Sequence, residues 1–167
     1  MRNGRHWLID TSALIRLVDS PDLPEWADRV QRGVVRIAPQ TLLEVGFSAR
    51  NAEDWRANIW GRPVSLMPWQ GATPASERRA LEVQELLVQR GHHRAPSVPD
   101  LMIAAIAETT GLTVLHVDTD FELIAEVTQQ PTERLRLADS DRTDHTDSIT
   151  GTRNLIAERR DKGHRDE

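Results

Sequence analysis

Apolar residues fall along this chain in two rhythms. The first is a set of short, nearly unbroken runs: HWLI at 6–9, VVRIA at 34–38, VSLM at 64–67 and LTVLHV at 112–117. Runs of that length, rich in β-branched residues and bounded by turn formers, predict buried strands. The second rhythm is helical. Pro24 opens a helix with Trp26, Ala27 and Val30 on one face and Gly33 as its stop. Pro39 opens another that carries Leu42, Leu43, Glu44, Val45 and Phe47, and Asn51–Trp60 places Trp55 and Ile59 at helical spacing. Thr73 caps a longer helix from Pro74 through Gln89, closed by Gly91. A loop, GHHRAPSV, then leads into a small-residue helix over Pro99–Thr110, and Phe121–Val127 is a further helix. Pro131–Leu137 supplies a last edge strand. Alternating strands and helices predict an α/β chain, a three-layer α/β/α sandwich around a central, mainly parallel sheet.

Two junctions share one construction. LTVLHVDTDFE stops its apolar run at Asp118 and Asp120 before a helix begins, and HWLI stops at Asp10, followed by Thr11, Ser12 and a helix over Ala13–Val18. In open parallel sheets, ligand chemistry gathers beyond the carboxyl ends of the strands. Asp10 and Asp118 both stand there. Glu44 is the only charged residue between Arg36 and Arg50. Asp100 begins the most apolar helix, with Ile103, Ala104 and Ala107 on its own side. Each acid also has a structural reading: helix cap or first-turn residue for Asp10, Asp100 and Asp118, exposed stripe for Glu44.

Gathering the acids has an energetic consequence. Two carboxylates ~4 Å apart repel by roughly 4 kcal/mol at an effective dielectric near 20. Three or four together either protonate or bind a cation. An all-oxygen, water-rich set suits Mg²⁺ or Mn²⁺ better than zinc, and such a centre activates water for in-line displacement at phosphorus.

Composition narrows the classes. The chain has 167 residues and no cysteine, which excludes disulfides, a thiolate nucleophile and zinc–thiolate sites. Net charge is −5, and 14 of the 21 basic and 18 of the 26 acidic residues lie at or before Leu135. Both parts are mildly acidic, which argues against holding nucleic acid by bulk positive field but leaves room for a metal and a few arginines. All but one of the basic residues are Arg, suited to bidentate phosphate contacts. The amino terminus, MRNGRHWLID, is too short and polar for a signal peptide, and no apolar run reaches membrane-spanning length, so a soluble cytoplasmic protein is expected. From Ala138 the chain turns into ADSDRTDHTDSITG, a composition that predicts disorder, with Arg153–Lys162 a weak polar helix.

LIDTSALIRL at Leu8–Leu17, Glu44 within TLLEVGFSA, PDLMIAAIAETTGLTVLHVDTDFELIA at Pro99–Ala125 and the TQQPTERL that follows occur together in this order. That combination resembles PIN-domain ribonucleases and, more narrowly, VapC-type toxins of type II toxin–antitoxin pairs. The resemblance covers Trp7 to about Leu135, which makes residues 1–137 a PIN-like nuclease domain and 138–167 a polar tail outside it. It implies that Asp10, Asp100 and Asp118 hold the metal, with Asp120 as an additional acid. Glu44 would complete the cluster and position or deprotonate the attacking water. Thr11 or Ser12 matches a hydroxyl residue that orients a metal-bound water, and both are candidate substrate contacts. The implied activity is Mg²⁺-dependent endoribonucleolysis, with Mn²⁺ as a substitute, leaving 5′-phosphate and 3′-hydroxyl ends. The implied partners are an RNA substrate, a cognate antitoxin and a second copy of the chain. Other readings are a PIN-type nuclease of RNA processing or of DNA, and a non-catalytic α/β binding module whose acids are helix caps.

Two weaker signals complete the set. His92, His93 and Arg94 precede Asp100, and Arg94 is a candidate phosphate contact at the rim. Five tryptophans (7, 26, 55, 60 and 69) are read mainly as core or dimer contacts, with a base-stacking surface or an antitoxin groove as alternatives.

Overall fold

The computed structural model describes residues 4–138. Its centre is a sheet of four short strands, β1 (Trp7–Ile9), β2 (Val35–Ile37), β3 (Thr113–His116) and β4 (Thr132–Arg134), in the order β2-β1-β3-β4. All pairings are parallel, with Ile9 level with Ile37 on one side and Leu115 on the other. Every strand therefore ends at the same edge.

Because side chains alternate along a strand, the sheet feeds two cores. Leu8 and Val114 join a cluster with residues of α5 (Pro74–Gln89), α6 (Val98–Thr110) and α7 (Asp120–Thr128). Trp7, Ile9, Val35, Ile37 and Leu115 join the opposite cluster with residues of α1 (Thr11–Leu14), α2 (Leu23–Gln31), α3 (Pro39–Phe47) and α4 (Ala52–Trp60). This is the expected three-layer arrangement. The α5–α6 pair is also stapled by Arg79, whose guanidinium donates to both carboxylate oxygens of Glu108 at 2.7 and 2.9 Å.

Three expectations need correction. VSLM at 64–67 is not a strand: Val64–Leu66 forms a 3₁₀ turn, with Met67 N–H donating to the Val64 carbonyl at 2.9 Å. Val64 and Met67 are the buried pair, three apart, whereas a strand would bury alternate residues. The sheet edge is met instead by Trp69, which bridges Ile37 through bonds flanking it (Ile37 N–H to Pro68 O, Gln70 N–H to Ile37 O). The helix expected over Ala13–Val18 is a single turn, α1, begun by Asp10 and followed by a 3₁₀ turn at Leu17–Asp19. Arg16, at φ −108° and ψ 4°, leaves the helical region between the two turns, and Ser20, extended before Pro21 as pre-proline sterics favour, ends the second. The last strand shrinks from Pro131–Leu137 to Thr132–Arg134. The tail from residue 139 and the helix expected at Arg153–Lys162 lie outside the described residues. Among the described residues, no helix is long and apolar enough to cross a membrane.

Candidate active site

β1 and β3 are parallel neighbours, so the residues that follow them emerge side by side. Asp10 N–H donates to the Leu115 carbonyl at 2.9 Å, which fixes this junction. Asp10 is buried and serves as the N-cap of α1, its Oδ2 accepting from Ser12 N–H at 2.9 Å and Ser12 Oγ at 2.6 Å. Ser12 Oγ then accepts from the N–H groups of Val117 and Asp118 at 3.0 and 3.2 Å. One hydroxyl thus ties the ends of the two central strands together, with its proton and both lone pairs engaged. Asp118 is exposed, and its Oδ1 accepts from Asp120 N–H at 3.0 Å, starting α7.

Glu44 arrives from α3. Thr41 Oγ1 donates to the Ile9 carbonyl at 3.1 Å and pins that helix to the end of β1. One turn on, Glu44 Oε2 accepts from Thr11 Oγ1 at 2.6 Å. Asp100 arrives from α6, where it forms a capping box with Ser97: Ser97 N–H donates to Asp100 Oδ2 at 2.7 Å and Asp100 N–H to Ser97 Oγ at 3.2 Å. The helix-cap reading of Asp10 and Asp100 is therefore correct as far as it goes. It is incomplete, because the acids also feel one another.

Burial raises the carboxyls of Asp10, Glu44 and Asp100 above their ordinary range, opposed by the hydrogen bonds from Ser12, Thr11 and Ser97 respectively. Repulsion adds to the rise: Glu44 acts on Asp10, Asp100 on Glu44, and Asp10 and Asp118 on Asp100. Asp120 is pushed to about 6, by desolvation and then by Asp118 and Asp100. All five predicted acids belong to one electrostatic cluster.

The donor set is all oxygen, which suits a hard divalent cation. The hydrogen bonds described occupy Oε2 of Glu44, Oδ2 of Asp100 and Oδ1 of Asp118, so each keeps its second carboxylate oxygen for a ligand. Among the described residues, no three acidic or histidine side chains stand close enough together to hold a metal ion by themselves. Mutual repulsion opposes such closure without a cation, and Mg²⁺ keeps several waters and takes only one or two carboxylates directly. The residues fit a hydrated ion.

Of the weaker candidates, Thr11 sits inside the cluster, while Arg94 is exposed and no hydrogen bond or ion pair links it to the acids. Sequence reasoning missed two supporting residues. Ser97 was legible as the first residue of an S-x-x-D cap signature. His116, fully buried, donates from Nδ1 to the Asp118 carbonyl at 2.7 Å and packs on Phe121. Its signal was an imidazole inside an otherwise mostly apolar run, two positions before Asp118.

The chain is similar to known proteins in sequence and in fold. A family model for the PIN domain matches residues 7–127. Ribonuclease VapC2 of Mycobacterium tuberculosis (strain CDC 1551 / Oshkosh) is 59% identical over 131 residues, spanning 78% of this chain and 93% of that relative. Ribonuclease VapC51 of Mycobacterium tuberculosis (strain ATCC 25618 / H37Rv) is 41% identical over 125 residues, spanning 75% and 89%. Among solved structures, DNA-bound VapBC from Salmonella typhimurium shares the fold with a TM-score of 0.64 at 17% identity, over 78% of this chain and 98% of that one.

Proposed function

The chain belongs to the PIN-domain family, and from that premise we propose that it is a metal-dependent endoribonuclease, the toxin of a toxin–antitoxin pair. The observation that carries this reading is the convergence of Asp10, Glu44, Asp100, Asp118 and Asp120 on one sheet edge, with burial and mutual repulsion raising four of them. Relatives named ribonucleases at 59% and 41% identity support it.

The metal would be Mg²⁺, with Mn²⁺ as a substitute, held among Asp10, Asp100 and Asp118, one or two of them directly and the rest through its waters, with Asp120 assisting. When bound, it neutralises the clustered charge and supplies Lewis-acid stabilisation to a phosphodiester displacement. Glu44 positions the attacking water and accepts its proton. Its half-buried setting and raised pKa suit a base, and Thr11 fixes its direction. Ser12 keeps Asp10 and the end of β3 in register. Arg94 contacts RNA phosphate at the rim.

Beside Glu44 runs a groove lined by Thr11, Leu43, Glu44, Phe47 and Pro99. Leu43 and Phe47 are 73% and 86% exposed, an apolar face that favours a protein cover. The antitoxin occupies this face and shuts the site, the chain works as a homodimer, and it acts in the cytoplasm.

The test is cleavage of single-stranded RNA by the purified chain. Mg²⁺-dependent cutting, abolished by EDTA and leaving 5′-phosphate and 3′-hydroxyl ends, is expected. Cleavage that survives EDTA, or products with cyclic phosphate ends, would contradict the proposal.

A further inference from the structure

We propose that Trp60 and Trp69 form a base-stacking platform that holds single-stranded RNA beside the acidic site. The platform rests on the ribonuclease reading above and names a second part of its substrate surface. The five indoles divide sharply. Trp7 and Trp26 are core residues, packed edge to face at 5.4 Å with Arg29 over both rings. Trp55, Trp60 and Trp69 are 41%, 57% and 57% exposed, yet they touch one another. Trp60 and Trp69 are nearly parallel, 13° apart with ring centres at 6.1 Å, and Trp55 meets Trp60 edge on at 6.3 Å. Exposed indoles held in a common orientation present flat faces on which bases stack.

Their location connects them to the chemistry. Trp69 bridges Ile37, and Ile37 is level with Ile9, the residue before Asp10. Trp69 and the Asp10 strand are thus two strand spacings apart at the same sheet edge, about 10 Å. Trp55 packs on α3 itself: a Cβ on Gly46, two residues from Glu44, would stand 2.6 Å from Trp55 Nε1.

Charge favours RNA over a protein partner. Arg36 bonds Gln70 Oε1 at 2.8 Å next to Trp69, and its Nε is buried without a protein acceptor. Arg56 lies one turn before Trp60, and Arg62 two residues after it. Both are exposed, and among the described residues neither makes an ion pair. Of the neighbouring acids Glu53 and Asp54, Asp54 is already taken by Arg50. This positive rim sits on a chain of net charge −5. The exposed aliphatic residues Leu43 and Ile15 lie on or beside α3 and α1, whereas from Ala49 to Ala80 the exposed large apolar side chains are the three indoles. Indole faces rimmed by arginine are the recipe of single-strand binding surfaces.

The test uses the full chain in a Glu44→Gln background, which removes the proton acceptor, and a labelled RNA of roughly 12 nucleotides with an abasic strand of equal length. Trp60→Leu and Trp69→Leu keep apolar area and remove the π face, while Trp69→Phe restores one. Each Leu change is expected to weaken RNA binding about 10-fold, Phe to recover most of it, and the abasic strand to be insensitive to all three. With Glu44 present, the Leu changes should raise KM and leave kcat in place. Unchanged Kd and KM in folded Leu variants would overturn the platform while leaving the ribonuclease standing. Loss of self-association or antitoxin binding with RNA affinity intact would overturn it in favour of a protein contact. Indole-dependent RNA binding by a chain that cuts no RNA would instead sink the ribonuclease reading and leave the platform.

Discussion

At the scale of single residues, the site depends on two hydroxyls with different tasks. Thr11 donates to Glu44 Oε2 at 2.6 Å, and Ser12 joins Asp10 to the backbone of Val117 and Asp118. Thr11→Val keeps shape and removes the donor, so Glu44 loses its orientation. RNA cleavage should fall ~10-fold or more with the melting temperature nearly unchanged, and Thr11→Ser should restore it. An equal loss in Thr11→Ser would show that the hydroxyl is not what matters. Asp120 gives a pH prediction. Its folded pKa, about 6, lies above the ordinary 3.8, so its contribution favours folding below 3.8 and is lost as pH rises through about 6. Without metal, Asp120→Asn should melt higher than wild type at pH 7.5, and the gap should close as pH falls through that window. Taking the difference cancels His116, whose lowered pKa acts with the opposite sign. A variant that melts lower at pH 7.5 would contradict the repulsion. Asp10 and Asp118 were legible in the sequence because an apolar strand that stops at an acid marks its own end. The roles of Ser12 and His116 were not, since a hydroxyl bridging residues 12 and 118 depends on strand pairing that no local pattern records.

At the scale of elements, α6 shows how one residue serves two purposes. Asp100 closes the capping box with Ser97 and faces Asp10 and Asp118 across the site. Asn at this position can still accept from Ser97 N–H, so Asp100→Asn retains the cap and removes the repulsion. Its metal-free melting temperature should be equal to or above that of wild type, with cleavage lost. Ser97→Ala, which breaks the cap alone, should cost about 1 kcal/mol. A destabilised Asp100→Asn would make Asp100 a cap and nothing more. Apart from α1, the helices were legible to within a few residues because proline, cap and glycine signals bracket them, as at Thr73–Gly91; α6 was read from Pro99, without its Ser97 cap. The segment 64–67 was misread for a physical reason. Four mostly apolar residues carry too little periodicity to separate a strand from a tight turn. The sheet edge is filled instead by Trp69, which follows Pro68.

At the scale of the whole molecule, folding and metal binding should be coupled, and the tail should stand apart from both. Few apolar side chains occur in the sequence after Ala138, and the family match ends at residue 127. Truncation after Leu137 is expected to leave the melting temperature and RNA cleavage unchanged, and a large fall in either would assign the tail a structural part. Mg²⁺ should raise the melting temperature of both lengths, because it binds the folded cluster and not the open chain. The three-layer order was legible as a whole, since strand–helix alternation leaves few topologies. The order β2-β1-β3-β4, which sets the ends of β1 and β3 side by side, emerged only from the structure. The central claim is that these acids act as one nuclease centre, and Glu44 tests it most directly because it comes from a helix of its own and its carboxylate caps no helix but accepts from the Thr11 side chain. The measurement is RNA cleavage under Mg²⁺ by wild type and Glu44→Gln at matched folded concentration. A loss of ~10²–10⁴-fold with folding intact is predicted, the range for a positioned acid–base group. Wild-type cleavage by Glu44→Gln would contradict the account and return Glu44 to an ordinary helix surface.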